Sequence, residues 1–336
     1  MKIIGLDIGF GFTKVTDGHR RELFKSVIGE ATDIQFRAPI GNSGRDEEHL
    51  HLTVDDEAFF AGDLAERQSS VRSFTLDQDQ LIAGYAKRLA LAGLTRLVGD
   101  NDPVHVVTGL PVRYFRRHRE AISNLLTGSH KLTLHDVAGK AQEITLRVDK
   151  VRVVPQPFGS FFGAMLNDIG RVAEARFARD KIGIIDIGFR TADYSIADRT
   201  RYSERGSGTS DAGIARAFEP IAAALQERSG VSVELYRLYD AVQSGSIKIR
   251  GNSYDLARIT ERAFGQLAAA IAGEVNRLWA DDWDVDAVLL AGGGGAVLAP
   301  YLQPLLEHEV LPLPEQDPRF ANVNGYWKYG VHLWKR

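Results

Sequence analysis

The chain has 336 residues, of which 44% are hydrophobic and 25% charged, with a formal net charge of −3 and no cysteine. This length accommodates two domains of ordinary size with a substantial core. The absence of cysteine excludes disulfides, zinc–thiolate sites and thiol nucleophiles, and the small net charge gives no bulk electrostatic reason to expect nucleic-acid or membrane binding. The opening residues MKIIGLDIGF predict neither a signal peptide nor a transmembrane helix. A cytoplasmic location is expected, which the absence of cysteine fits.

Apolar segments bounded by glycine or proline mark the predicted strands. They lie, in chain order, at residues 2–8, 104–108, 149–154, 182–187 and 285–291. The first is expected to pair with a returning strand, so that residues 2–16 form a β-hairpin. Helices are predicted at 114–126, 214–225 and 264–278, and Pro220 is expected to kink or restart the second of these. The mixture of elements predicts an α/β fold.

A short internal repeat suggests that the chain has two similar halves. The tetrapeptide DIGF occurs at residues 7–10 and again at 186–189, each time at the end of a predicted strand. A threonine follows each copy, at Thr13 and Thr191, with spacing that differs by one residue.

Glycine-bearing turns follow three of the predicted strands, at residues 9–11, at 188 and at 292–295. A phosphate chain requires several backbone N–H donors at close range, which glycine permits. Asp7 and Asp186 precede two of these turns, and two carboxylates near one phosphate chain are useful when Mg²⁺ lies between them. Lys14, just past the first turn, could neutralise phosphate charge. Each turn alone is weak evidence, whereas the ordered set indicates a nucleotide site.

These motifs resemble those of the actin, Hsp70 and sugar-kinase superfamily of ATPases. Its two phosphate hairpins are similar to DIGFGFTK at 7–14 and IIDIGFRTAD at 184–193. Its two connecting segments are similar to VVPQPFGSFFGA at 153–164 and a segment near Asn324-Gly325, and its adenosine loop is similar to LLAGGGGAVL at 289–298. Within the superfamily, the ParM/StbA group of bacterial actin-like proteins is most similar. The segments that carry this resemblance are AGDLA at 61–65, TGLPVRYF at 108–115 and FANVNGYWKYG at 320–330.

The resemblance implies an actin-like ATPase fold, with two similar α/β domains flanking a nucleotide cleft. Domain I is expected to comprise residues 1–165 plus 322–336, and domain II residues 166–321. The implied ligands are ATP, with GTP as the alternative, and Mg²⁺. The implied reaction is ATP hydrolysis.

Roles for individual residues also follow from the resemblance. Asp7 and Asp186 would hold Mg²⁺ through water, with Asp193 close to the metal waters. Gln156 would orient the attacking water, so the implied catalytic residues are Gln156, Asp186 and Asp7. The implied nucleotide contacts are Gly9, Phe10, Gly11, Lys14, Gly188, Phe189, Thr191, Gly292, Gly293 and Gly294. Phe10 and the Phe189-Arg190 pair depart from the usual small or hydroxyl-bearing residues, which leaves backbone contacts to the phosphates.

The implied output is a filament built from copies of the chain, with plasmid segregation as the expected role and a small DNA-binding adaptor of the ParR type as the expected partner. Direct nucleic-acid binding and membrane binding are not expected. Three alternatives stay open at this point: a small-molecule kinase of the same superfamily, an Hsp70-like chaperone, and a membrane-linked actin relative. The aromatic, basic segment YWKYGVHLWKR at 326–336 is expected to pack against the first domain.

Overall fold

A computed structural model describes residues 1–34 and 49–335. The chain divides into two compact units. Unit 1 comprises Met1–Leu110, Tyr114–Ala173 and Asn322–Arg336, and unit 2 comprises Pro111–Arg113 and Glu174–Ala321. Residues 166–173 fall in unit 1, and the predicted domain limits remain a proposal.

The strands of unit 1 are β1 (Lys2–Ile8), β2 (Phe12–Thr16), β3 (Arg21–Lys25), β4 (Ile28–Glu30), β5 (His51–Val54), β6 (Glu57–Ala61), β7 (Arg72–Ser73), β8 (Pro103–Leu110), β9 (Gly128–His135) and β10 (Ala141–Pro155). They form one sheet in the order β3-β2-β1-β8-β10-β9-β5-β6-β4-β7. Strands β1, β8 and β10 run parallel to one another. Their near-continuous apolar stretches suit central parallel strands, and residues 3–7 of β1 are all buried.

The strands of unit 2 are β11 (Lys181–Ile187), β12 (Ala192–Asp198), β13 (Arg201–Ser210), β14 (Ser246–Ile249), β15 (Asn252–Asp255), β16 (Ala287–Ala291) and β17 (Val310–Leu311). Five of them form a sheet in the order β13-β12-β11-β16-β17, and β14 and β15 form a separate hairpin. In this sheet β11, β16 and β17 are parallel and β11 to β13 are antiparallel. The segment β3-β2-β1-β8-β10 of unit 1 has the same pattern, as expected of two similar halves.

The described helices are α1 (Gly62–Gln68), α2 (Gln78–Gln80), α3 (Ala86–Thr95), α4 (Val112–Leu126), α5 (Phe158–Met165), α6 (Ala175–Arg179), α7 (Ala215–Ser229), α8 (Leu238–Ser244), α9 (Ala257–Leu278), α10 (Gly292–Leu302) and α11 (Ala321–Trp334). Helix α9 is amphipathic and buries the predicted face, including Phe264, Leu267 and Ile271. Among the helices that the structure describes, none is both long enough and apolar enough to cross a bilayer.

Most predicted elements are confirmed, with three corrections. The strand predicted at 149–154 is the end of the longer β10, whose first half pairs with β9 in an antiparallel hairpin. Helix α4 begins two residues earlier than predicted, directly after Pro111. Pro220 neither ends nor restarts α7, which continues from Ala215 to Ser229. The buried side chains of Phe218 and Ile221 on either side of the proline hold that helix against the core.

Helix α11 packs within unit 1, as predicted for the C-terminal segment. Trp327 forms a cluster with Ile3 and Val331. The His332 ring lies 2.8 Å from the carbonyl oxygen of Gly170. The aromatic residues of this segment are therefore used inside the unit.

Candidate functional site

The first glycine turn places Asp7 beside Lys14. Strands β1 and β2 pair antiparallel, and their register sets these two residues opposite one another. The Lys14 ammonium donates to Oδ2 of Asp7 at 2.8 Å. Asp7 is only 3% exposed, because it points from the end of a central strand into the unit. The ion pair keeps a buried carboxylate compensated.

The tip of this hairpin is fixed by backbone hydrogen bonds. The Gly9 N–H donates to the carbonyl oxygen of Phe12 at 3.1 Å, which makes the tip amides of Phe10 and Gly11 the candidate phosphate donors. The Phe10 side chain is buried, consistent with a contact to ligand through its backbone. Ser26 supports the turn from β3's end, since its hydroxyl donates to the Gly9 carbonyl oxygen at 2.6 Å. The sequence motif gave no signal for Ser26.

The second glycine turn, in unit 2, repeats the same geometry. The Gly188 N–H donates to the carbonyl oxygen of Thr191 at 2.9 Å, which matches the bond from Gly9 to Phe12. Asp186 is 2% exposed at the end of β11. Both turns therefore span four residues and leave a buried carboxylate one residue before the end of the strand.

This equivalence corrects one detail of the predicted repeat. Asp186 is opposite Asp193 in the register of β11 and β12, as Asp7 is opposite Lys14. Asp193 thus occupies the position of Lys14. Thr191 lies within the four-residue turn, whereas Thr13 lies on the strand after its turn, so the two threonines are not equivalent.

Asp193 is fully enclosed and accepts hydrogen bonds on both oxygens. Its Oδ1 accepts from the Val112 N–H at 2.8 Å and from the Thr209 hydroxyl at 2.5 Å. Its Oδ2 accepts from the Thr191 hydroxyl at 3.1 Å. Burial raises the pKa of Asp193 to about 6, against the lowering effect of these donors. The carboxylate ties β12, β13 and the start of α4 together, and its role near a metal remains a prediction.

The glycine run after β16 lies directly against Asp186. A Cβ at Gly292 would be 2.5 Å from Oδ1 of Asp186 and would overlap the carbonyl oxygen of Ile187. Gly292 also has a φ of 81°, in the left-handed region. A Cβ at Gly294 would be 2.8 Å from the Ile187 side chain. These glycines allow the start of α10 to approach the end of β11.

Two residues that the motifs did not indicate lie beside Gly293. A Cβ at Gly293 would be 3.2 Å from the Tyr239 hydroxyl and 3.3 Å from Cγ of Arg319. Burial raises the pKa of Tyr239. The Arg319 guanidinium binds Asp317 at 2.7 Å. Tyr239 and Arg319 are therefore candidates to line the predicted adenosine side in unit 2.

Gln156 is at the same sheet edge of unit 1 as Asp7. Gln156 directly follows β10 and Asp7 lies near the end of β1. Both strands are parallel to the intervening β8, so their carboxyl ends meet at one edge. The Gln156 N–H donates to the carbonyl oxygen of Leu110 at 2.8 Å. Its side chain is half-buried. In unit 2, Asp186 lies near the carboxyl end of β11, and Gly292 directly follows the neighbouring parallel strand β16.

The donor set fits Mg²⁺. Hard divalent cations take carboxylate oxygens, and Asp7 and Asp186 each present one at a glycine turn. Within residues 1–34 and 49–335, no group of three or more His, Cys, Asp or Glu side chains could hold a metal.

Family models match both halves of the chain. Residues 5–159 match the N-terminal domain of actin-like proteins, and residues 184–304 match the C-terminal domain of the archaeal MreB-like actin homologue. The chain is an actin-like protein. The two matched ranges contain both hairpins that are predicted to bind phosphate, the segment with Gln156 and the glycine run.

Solved structures confirm the actin-like ATPase fold. A ParM from a 15-stranded filament of Clostridium botulinum is 24% identical, with a TM-score of 0.80 and 98% coverage of each chain. A non-polymerisable quadruple mutant of pCBH ParM is 25% identical, with a TM-score of 0.79 and 98% coverage of each chain. An archaeal actin homologue in complex with ADP is 19% identical, with a TM-score of 0.77, covering 98% of this chain and 99% of its own. No curated protein sequence matches this actin-like protein.

The second hairpin of this actin-like protein is clamped by the segment that leads into α7. The N–H groups of Gly213, Ile214 and Ala215 donate to the carbonyl oxygens of Arg190, Gly188 and Phe189 at 2.9–3.2 Å. Arg190 also pairs with Asp211 at 3.2 Å. A Cβ at Gly213 would overlap the Arg190 backbone. Arg190 is thus partnered by protein.

We expect the first and fourth glycines of the run 292–295 to respond oppositely to alanine. Gly292→Ala should lower the free energy of unfolding by about 2 kcal/mol or more, because its φ is left-handed and its Cβ would meet Asp186. Gly295→Ala is the matched control, since its Cβ would meet Leu290 only at an ordinary 3.5 Å. Alanine there should be neutral or stabilising by up to about 1 kcal/mol. Urea unfolding of both variants measures this; equal stabilities would contradict the close approach of Gly292 to Asp186.

Proposed function

We propose that this actin-like protein binds ATP with Mg²⁺, hydrolyses it to ADP and phosphate, and couples hydrolysis to assembly into filaments. The observation that carries the proposal is the pair of equivalent hairpins, each with a buried carboxylate one residue before the end of its first strand. A phosphate chain and a divalent cation are the ligands that suit tip amides next to carboxylates. The archaeal homologue's complex with ADP supports a nucleotide as the ligand.

The residues proposed to bind phosphate, balance charge, hold Mg²⁺ and orient water have distinct tasks. The tip amides of Phe10 and Gly11, and their counterparts after Gly188, bind phosphate oxygens. Lys14 balances charge, either on Asp7 or on a bound phosphate. Mg²⁺, held by Asp7 and Asp186, would neutralise charge on the phosphate chain when bound. Gln156 orients the attacking water through its amide without acting as a strong base.

Filament assembly is the proposed output of this ATPase. A related ParM forms a 15-stranded filament, which supports self-assembly by a chain of the same fold and length. Within this proposal the finer role is plasmid segregation in the cytoplasm, with a small DNA-binding adaptor of the ParR type linking the filament to DNA. Pull-down by the filament of a small DNA-binding protein encoded beside this gene would test that role. Filaments that bind no such adaptor would argue for another cargo.

Gln156→Ala should separate nucleotide binding from hydrolysis. ATP affinity should stay unchanged, because the amide acts on water, whereas turnover should fall by roughly ten- to a thousandfold. Phosphate release and fluorescent-ATP binding measure the two effects. Gln142→Ala is the matched control, because Gln142 is an exposed residue near the start of β10. If Gln156→Ala hydrolyses ATP at the normal rate, another residue positions the water.

A further inference from the structure

We propose that Tyr326 is a positioning residue for Gln156, fixing the turn from which the Gln156 side chain extends. The inference rests on the proposed function of Gln156. Tyr326 lies on α11, is fully buried, and is 170 residues away in sequence. Its hydroxyl donates to the carbonyl oxygen of Gln156 at 3.2 Å.

The phenol ring fits between two glycines of unit 1. A Cβ at Gly109 would overlap the Tyr326 hydroxyl, and a Cβ at Gly159 would be 2.5 Å from Cε1 of the ring. Gly109 belongs to the TGLP segment, to which the proposed function assigns no role in nucleotide binding or hydrolysis. The close approach explains why that position requires glycine: it leaves room for the phenol that reaches Gln156.

Further hydrogen bonds hold the turn and the start of α5. The Gly159 N–H also donates to the Gln156 carbonyl oxygen, at 3.0 Å. One residue further on, Oδ1 of Asn322 accepts from the N–H of Ser160 at 2.9 Å and from its hydroxyl at 2.6 Å. Helix α11 therefore holds both the turn and the first residues of α5. Tyr326 is the contact that acts on Gln156 itself.

The orientation of a peptide group fixes where its side chain starts. A carbonyl oxygen that accepts two hydrogen bonds cannot rotate without losing one of them. A water-orienting amide works only within a narrow range of positions, so small displacements reduce turnover more than nucleotide binding. Loss of the phenol hydroxyl should therefore affect kcat and leave KM and ATP affinity unchanged.

The test compares Tyr326→Phe with Tyr329→Phe. Both variants remove one hydroxyl from α11 and keep the ring. The Tyr329 ring stacks on the Phe162 ring, with the two centroids 4.1 Å apart. We expect Tyr326→Phe to lower the kcat of Mg²⁺-ATP hydrolysis by about three- to tenfold, the effect of one lost hydrogen bond. Tyr329→Phe should match the unaltered protein. Equal kcat values for all three proteins would overturn the proposal.

A double variant tests whether the effect passes through Gln156. Adding Tyr326→Phe to Gln156→Ala should change kcat no further, and an equal fold-loss in that background would overturn the proposal. Hydrogen exchange of peptides covering residues 155–160 supplies a readout independent of catalysis. Faster exchange in Tyr326→Phe alone supports the positioning role even if Gln156→Ala shows that Gln156 is not catalytic. Unchanged exchange would overturn it.

Discussion

Asp186→Asn is expected to lower ATP turnover by roughly a thousandfold or more while the protein stays folded. Asparagine keeps the size of the side chain but removes the charge that would hold Mg²⁺. The Asp186 carboxylate is buried near the end of β11, and Gly292 lies directly beside it. Asp7→Asn should cause a comparable loss if the two carboxylates act on one cation.

Asp198→Asn is the matched control, because Asp198 is an exposed carboxylate at the other end of the same hairpin. Phosphate release should be measured over a range of Mg²⁺ concentrations, with circular dichroism to check folding. We expect Asp186→Asn to remain inactive at every Mg²⁺ concentration and Asp198→Asn to behave as the unaltered protein. Normal turnover in folded Asp186→Asn would remove Asp186 from the site.

The core strands and the matched hairpins could be predicted because local sequence determines them. Residues 2–8 and 182–187 are apolar apart from Lys2, Asp7 and Asp186, and such runs are typical of central strands buried on both faces. The repeated DIGF tetrapeptide then places the same turn after each strand. Residues 141–148 of β10 escaped prediction, because the first three are all exposed and no apolar run marks the start of the strand. Their pairing with β9 determines their structure.

The environment of each site residue depends on strand register and long-range contacts, which the sequence does not display. The hydrogen bonds of Asp193 to Val112, Thr191 and Thr209 could not be read from its place in a motif. The equivalence of Lys14 and Asp193 appears only when both registers are known. Tyr239 lies 54 residues before Gly293, and no motif links them.

Assembly is expected to require Mg²⁺ and ATP and to show a critical concentration. A head-to-tail contact joins two different surfaces of successive copies, so it does not close and propagates into a filament. Hydrolysis then weakens the contact, provided that the ATP and ADP states differ in affinity for the next copy. Light scattering should therefore rise after addition of Mg²⁺-ATP, stay flat with ADP, and decay as ATP is consumed.

Gln156→Ala makes this expectation sharper, because it should bind ATP without rapid hydrolysis. Its filaments should form at a similar critical concentration and persist longer than those of the unaltered protein, whereas Asp186→Asn should form none if Mg²⁺ is required. Negative-stain microscopy identifies filaments and separates them from amorphous aggregates. A protein that hydrolyses ATP yet stays monomeric at tens of micromolar in all salt conditions would contradict the filament proposal. A panel of sugars and other small hydroxyl compounds would then test phosphoryl transfer, because a kinase of the same superfamily uses the same phosphate hairpins and needs no second copy.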